Sequence, residues 1–522
     1  MRRTSFAYAL IAVMALGSAL SAGSHQYSQK TYLAIRPHDI NTAMEYTTWH
    51  RNAYTNHPAN IHTHFQLVPF YQDSARSTDL GRYFGIGNGT NQFLVAGAPF
   101  YNPDINKAYL IHNNENPIVS VADTQTLKGT AHFNPYQEAY GFRFDLFQNI
   151  EKPFKHFFFK FSTVLEQINQ NVEMTVANGQ KENIEHAVPN SPYQFSLHDF
   201  FSGNVNVPAV AGNIELSENQ QSPLTRAKIP GRRSKFGLAD LDFGLGYKYL
   251  HAKNHAYISL DLTIPTGNRV RGEYLFEPVY GNGNHVGLGC SLDIGWELWA
   301  SERANIRLLW ATRYRYLFEN SEVRTLGIKN LSFDGTQPYD INPKFSHYYL
   351  GGVEGQQNKP LFPLANELTR SCGIKPGNLF DTMIDFAFKS SGFSIDLGYN
   401  LYWKDRESIY LKNGKKFNDQ NLVIAKPGYL TQSQKLTINT QIIGEETIDP
   451  TAIKMLTTED LNLNAARTPY VLTNKLFGGF GYTFGIYEKH LCSVGFGGSY
   501  EFATNNSDLE NYAVWAKMGF SI

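Results

Sequence analysis

From Ala239 the chain alternates. Ala239, Leu241, Phe243, Leu245, Tyr247 and Tyr249 take every second position, with Asp240, Asp242, Gly244, Gly246 and Lys248 between them. After His251-Ala252-Lys253 the pattern restarts, with Ala256, Ile258, Leu260, Leu262 and Ile264 set against Tyr257, Ser259, Asp261 and Thr263. It recurs over 286–298 and 304–318. A period of two places successive side chains on opposite faces of a strand. One face here is apolar and ends in aromatics; the other is small or charged. This is the pattern of a transmembrane β-barrel, apolar toward lipid and polar toward the lumen.

The same rhythm marks Tyr140 to Leu146, Phe157 to Thr163, Phe380 to Phe388 and Phe393 to Trp403. Three more strands close the chain: Leu476–Ile486, Cys492–Phe502 and Tyr512–Ile522. Residues 63–73 and 84–98 alternate less cleanly. Residues 24–62 do not alternate; Asp39 or Asn41 caps a short predicted helix there. That segment is expected inside or beneath the barrel.

Connection lengths sharpen the picture. The short links are 149–156, 251–253, 300–302, 390–391 and 488–489. Those between them are longer: 168–233, 266–283, 319–378, 404–473 and 504–509. Short periplasmic turns and long extracellular loops are what a membrane barrel requires. With both termini periplasmic the strand number is even. Eleven clear strands and one at the N-terminus give an all-β, antiparallel up-and-down barrel of twelve over 63–522; three N-terminal strands give fourteen. A barrel of this width needs its lumen narrowed by a loop or by the N-terminal segment.

Composition fits. Charged residues make up 18% of the chain, below the roughly 25% of soluble domains, and the 31 Tyr and 36 Phe suit two interfacial girdles. The 46 basic and 46 acidic residues cancel, which argues against a nucleic-acid surface. Arg2-Arg3, an apolar run over 6–16 and small residues over 17–23 read as a signal peptide, 1–23. The expected location is the outer membrane of a Gram-negative-type bacterium. Lipid and the barrel-assembly machinery are the expected partners. Cys290 and Cys492 fall on the lipid face, and Cys372 in a loop.

Phe236-Gly-Leu-Ala-Asp240, Lys248-Tyr249, Ile264-Pro-Thr-Gly267 and the glycine-rich return over 274–289 resemble the outer-membrane family named for the MetA protein of phenol degradation. The resemblance covers about residues 234–320. It implies a barrel in the outer membrane acting as a transporter or channel. The loops 319–378 and 404–473 are long for that family, so no substrate is carried over.

By parity the lumen is lined by Asp240, Asp242, Lys248, Asp261, Asp293, Glu297, Arg307, Arg313 and Arg315, joined by Arg143, Asp145, Lys160 and Asp396. Asp240, Asp242 and Asp261 could bind a hard cation through oxygen, or pair with Arg313 and Arg315. Gly244, Gly246, Gly287, Gly289 and Gly295 share that face, where they allow strand bending or the close approach of a plug. His62 and His64 have a spacing that can hold a metal, but no carboxylate or Cys sits among the histidines of that region, so strand-end histidines are the simpler reading. Gly281-Asn-Gly283 is a turn, because no helix follows it. No catalytic constellation and no cofactor motif stands out. A mixed-charge lumen with few apolar residues suits a channel or transporter for small polar solutes. The alternative is a surface barrel that binds a partner through its long loops.

Overall fold

The computed structural model describes residues 30–33, 35–48, 63–75, 92–96, 105–106, 129–150, 156–177, 197–204, 207–211, 214–229, 231–251, 254–329, 345–354, 362–425, 453–486, 490–504 and 508–521. The signal peptide expected over 1–23 lies outside them, as do His50, His57 and His62.

Twelve antiparallel strands close into one barrel. They are β1 (Thr63–Ala75), β2 (Tyr136–Ile150), β3 (Phe157–Asn171), β4 (Arg233–His251), β5 (Asn254–Ile264) and β6 (Gly287–Ala300), then β7 (Ala304–Leu317), β8 (Gly377–Ser390), β9 (Phe393–Lys404), β10 (Val471–Ile486), β11 (His490–Ala503) and β12 (Glu510–Ser521). Each strand pairs with the next, and β1 closes on β12 with His64 opposite Ser521. Closure removes every sheet edge, and in hydrocarbon only a closed sheet satisfies all its backbone groups. The outward residues suit that solvent: Leu260 is 72% exposed, Leu397 65% and Phe480 62%. Burying such side chains against lipid supplies the driving force that a water-facing wall would lack. The chain is thus a transmembrane barrel of outer-membrane architecture. The short connections mark its inner end and the long ones its outer end.

Within the barrel the pairing register shifts at two places, at Leu298 of β6 against β7 and, with more consequence, in β4. Leu238 faces Leu165 and Leu241 faces Thr163, so β4 carries a bulge against β3. Ala239 and Asp240 therefore both turn inward, each fully buried. Ala239, expected on the lipid face, belongs to the interior. A bulge re-aims a side chain at the cost of local pairing, and an alanine gives parity nothing to grip.

The weak stretch over 84–98 supplies Gln92–Ala96, which pairs outside the barrel in a four-stranded sheet. Two of the long outer connections, β7–β8 and β9–β10, fold together. Asn320–Thr325, Thr369–Lys375 and Ser408–Leu411 form one sheet, and Gly327–Ile328 pairs with Leu461–Asn462. Leu326, Leu364, Phe417 and Leu456 share a buried apolar core there with Cys372. We refer to this unit as the cap.

Candidate functional site

The lumen holds residues 30–48, the plug. Asn41 has a non-helical backbone and its Oδ1 accepts from Met44 N at 3.2 Å. That cap starts a five-residue helix, α1 (Thr42–Tyr46), every residue of which is buried. A helix this short has little stability of its own; wall contacts on all sides hold it.

Those contacts are largely ionic. Arg36 lies 3.0 Å from Asp381 on β8 and 2.9 Å from Glu501 on β11, donates to Asn400 on β9, and lies over the Tyr402 ring. Asp39 accepts from Arg315 on β7 at 2.5 Å. His38 Nδ1 is 2.6 Å from Glu166 on β3. Glu45 bridges Arg143 on β2, at 2.7 Å, and Arg313 on β7. The plug backbone joins in. Thr42 N donates to Asp381 and Thr48 N to Asp396, while Glu45 O accepts from Gln66 and Lys517. Buried charges need partners and hydrogen bonds to remain charged, and here wall and plug supply them to each other.

The plug has a direction. Its start sits at the outer end. Lys30 Nζ donates to Asn464 O, and Thr31 Oγ1 to Thr325 O, both at 2.6 Å. Arg324 of the cap lies 3.2 Å above the Tyr32 ring and pairs with Glu322 at 2.6 Å and, more distantly, Glu407 at 3.6 Å. His285 Nε2 meets the other oxygen of Glu322 at 2.6 Å. The far end reaches Gly479, Gly481 and Gly495 in the inner half of β10 and β11, where added Cβ atoms would come within 2.4–3.0 Å of Thr47 or Thr48. Those glycines give the plug its close approach. Of the five glycines expected to allow strand bending or the approach of a plug, three lie under side chains of the wall itself. Phe158 lies over Gly246, the His255 ring over Gly295, and Lys160 over Gly244.

The residues predicted to line the pore fall into distinct groups. Asp242 accepts from Arg315 at 2.7 Å and from Thr263, and Arg315 links it to Asp39 of the plug. Asp261 pairs with Lys160 at 3.0 Å and accepts from Ser259. Asp293 is buried. Asp240 is a loop anchor: its carboxylate accepts from the backbone N–H groups of Thr266, Gly267 and Asn282. The Gly-x-x-Asp, Pro-Thr-Gly and Gly-Asn-Gly motifs thus meet in one hydrogen-bonded corner. Asp240, Asp242 and Asp261 each have separate partners and do not converge on one cation position. Near the inner end, Lys248 donates to Asn149 at 2.6 Å, Arg307 lies 3.3 Å from His255 Nδ1, and Glu297 is half-buried.

Two features escaped sequence reasoning. Asp381, Glu501, Glu166 and Lys517 hold the plug, and the same parity that found Asp242 would have found them. The lumen is also less uniformly polar than expected. Phe147, Phe158 and Tyr257 pack together, and Leu309, Met383, Phe477 and Trp515 join them in one buried cluster with Met44 and Tyr46. Bulky inward aromatics are masked in the sequence because both faces of those strands are then apolar.

No family model matches the chain, and no curated protein does. Among solved structures, it is similar to an outer membrane channel from Pseudomonas putida F1, at 11% identity over 90% of this chain and 98% of that one, with a TM-score of 0.35. It is similar to the transport unit of the autotransporter AIDA-I from Escherichia coli, at 8% identity over 89% and 91%, with a TM-score of 0.30. It is similar to the Pseudomonas putida toluene transporter TodX, at 8% identity over 95% and 99%, with a TM-score of 0.29.

Proposed function

We propose that this chain is an outer-membrane channel or transporter for small solutes, closed here by residues 30–48 and opened when they leave the lumen. The observation that carries the reading is how the plug is held. Arg36, Asp39 and Glu45 bind it to the wall through ion pairs. A buried ion pair gains little net free energy over its solvated partners. Water entering the lumen can therefore replace these contacts at modest cost, which it could not do for an apolar filling. The vacated wall then offers Arg143, Asp242, Arg313, Arg315 and Asp381 to a passing solute, a mixed-charge path suited to polar cargo.

Planar-bilayer recording tests this. Full-length protein should be mostly closed, and a variant lacking residues 30–48 should conduct steadily. A correctly inserted deletion variant that carries no current at any voltage would overturn the channel reading. The Arg36→Gln/Glu45→Gln double variant, which keeps the segment, should open more often than the parent.

The folded cap favours a second reading, a barrel that presents a receptor surface. On that reading, removing residues 330–344 and 426–450 together would abolish partner binding and leave conductance of the plug-deleted barrel unchanged.

A further inference from the structure

Outside the lumen, one stretch of the outer rim gathers positive charge. Residues 226–229 lie along 271–275: Ala227 N donates to Gly272 O, Lys228 N to Glu273 O, and Leu275 N to Lys228 O. That pairing brings Arg226, Lys228 and Arg271 together, and Arg226 donates to the Arg271 carbonyl at 3.1 Å. Arg233, at the outer start of β4, lies 4.4 Å from the centre of the Tyr274 ring, and Lys228 lies 4.9 Å from it. Stacking on that ring holds both cations in place. Arg269 is two residues from Arg271, and all four arginines are exposed.

The patch keeps most of its charge. Lys228 is the one of these five cations with an ion pair among the described residues, to Glu273 at 3.0 Å. Glu277 is buried, and its carboxylate is taken up by the backbone N–H groups of Arg271, Gly272 and Glu273. Glu138, nearby, is bonded to Arg232. Like charges gathered this closely repel, and an anion set between them relieves the repulsion. Below the patch the wall turns apolar and faces out. Phe236 is three residues from Arg233, roughly 10 Å down the strand, and is 64% exposed. Leu238 on β4 and Ile264 on β5 are exposed beside it. The arginines therefore stand where the lipid-facing belt ends. A free anion would match only the upper half of this surface; an anion carrying acyl chains matches both halves.

We propose that this part of the rim binds a phosphorylated glycolipid of the outer leaflet, with its phosphates among Arg226, Arg233, Arg269 and Arg271 and its acyl chains along Phe236, Leu238 and Ile264. Guanidinium groups present paired N–H donors that match phosphate oxygens, and each cation beside an anionic lipid strengthens binding about fivefold. The site lies on the outside of the wall, so it stands whether or not the barrel conducts. Native mass spectrometry of the full-length protein in a non-ionic detergent tests it, with lipid A carrying both of its phosphates as the probe. Lipid A should bind saturably, and the same lipid stripped of its phosphates should bind about tenfold more weakly or worse. Arg269→Gln/Arg271→Gln should weaken lipid A by about tenfold or more. Arg269→Lys/Arg271→Lys should keep most of the binding, which separates a lost charge from a lost fold. Lys415→Gln/Lys416→Gln removes two exposed charges from the cap and should leave binding unchanged. A large excess of inorganic phosphate should not displace the lipid. Equal binding of the two lipids would mean contact with the apolar belt alone and would overturn the proposal. So would an equal loss in the two glutamine variants, which would be an effect of net charge. Displacement by inorganic phosphate would make the patch a site for free anions and overturn it too, as would the absence of any lipid A adduct.

Discussion

At the scale of single residues, Glu45 gathers the lumen around itself. Its carboxylate bridges Arg143 and Arg313, and its carbonyl takes Gln66 and Lys517. Arg143 keeps Asp145, at 2.8 Å, if Glu45 is neutralised; Glu45 is the carboxylate bonded to Arg313. Breaking a buried pair on one side costs about 3–5 kcal/mol. Glu45→Gln should therefore raise the open probability of single channels by roughly a hundredfold to a thousandfold. An open probability within twofold of the parent would place the energy of seating elsewhere. The wall half of this pair was legible: alternation alone placed Arg143, Arg313 and Arg315 inward. The plug half was not. Arg36, Asp39 and Glu45 sit in a stretch with no period, and Arg36 finds Glu501 across 465 residues of chain. Ala239 was misplaced for a local reason, since one extra residue at the bulge reverses parity and alanine marks neither face.

At the scale of elements, the helix start at Asn41 was visible because an N-cap is a local signal. The cap was not, because its strands are two to seven residues long and pair across loops rather than along the chain. Its Arg324 ties three segments together: Tyr32 of the plug, Glu322 beside it, and Glu407 from the next loop. The outer end of the plug is thus latched to the cap. Arg324→Met should raise the opening rate of full-length channels by about tenfold or more, because it removes a stacked cation and two carboxylate contacts. Heat-modified migration on gels would show that the barrel itself remains folded. An unchanged opening rate alongside a conducting plug deletion would mean the latch plays no part in closure.

At the scale of the whole molecule, strand number, topology and the inner and outer ends were readable from alternation and loop length, since lipid enforces a strict outer face on every strand. What fills the barrel was not readable, because a lumen closed by its own chain obeys no period. The cap carries a pH dependence. Burial alone would raise the Glu407 carboxyl, but Arg324, Lys404 and the Thr468 N–H outweigh it and hold the pKa at about 2. A carboxyl lowered on folding contributes stability above its ordinary value of 4.5, and that contribution is lost as pH falls toward 2. Hydrogen exchange at Ile374 and Leu422 should quicken between those values while the amides of β5 and β6 stay protected. In Glu407→Gln that acid step should be absent; an identical step in the variant would assign it to another group.

The direction of the plug also orders events in time. The segment runs from the outer end inward before β1 begins at Thr63, and the seam that completes the wall joins β1 to the last strand made, β12. A sheet that closed first would leave Arg36, Asp39 and Glu45 to reach Asp381, Arg315 and Arg143 only through the ends of a narrow bore. The segment therefore belongs inside before the seam zips, and the wall is wrapped around it as around a mandrel. What stands in the finished protein as a stopper is, during biogenesis, the core on which the cylinder is wound.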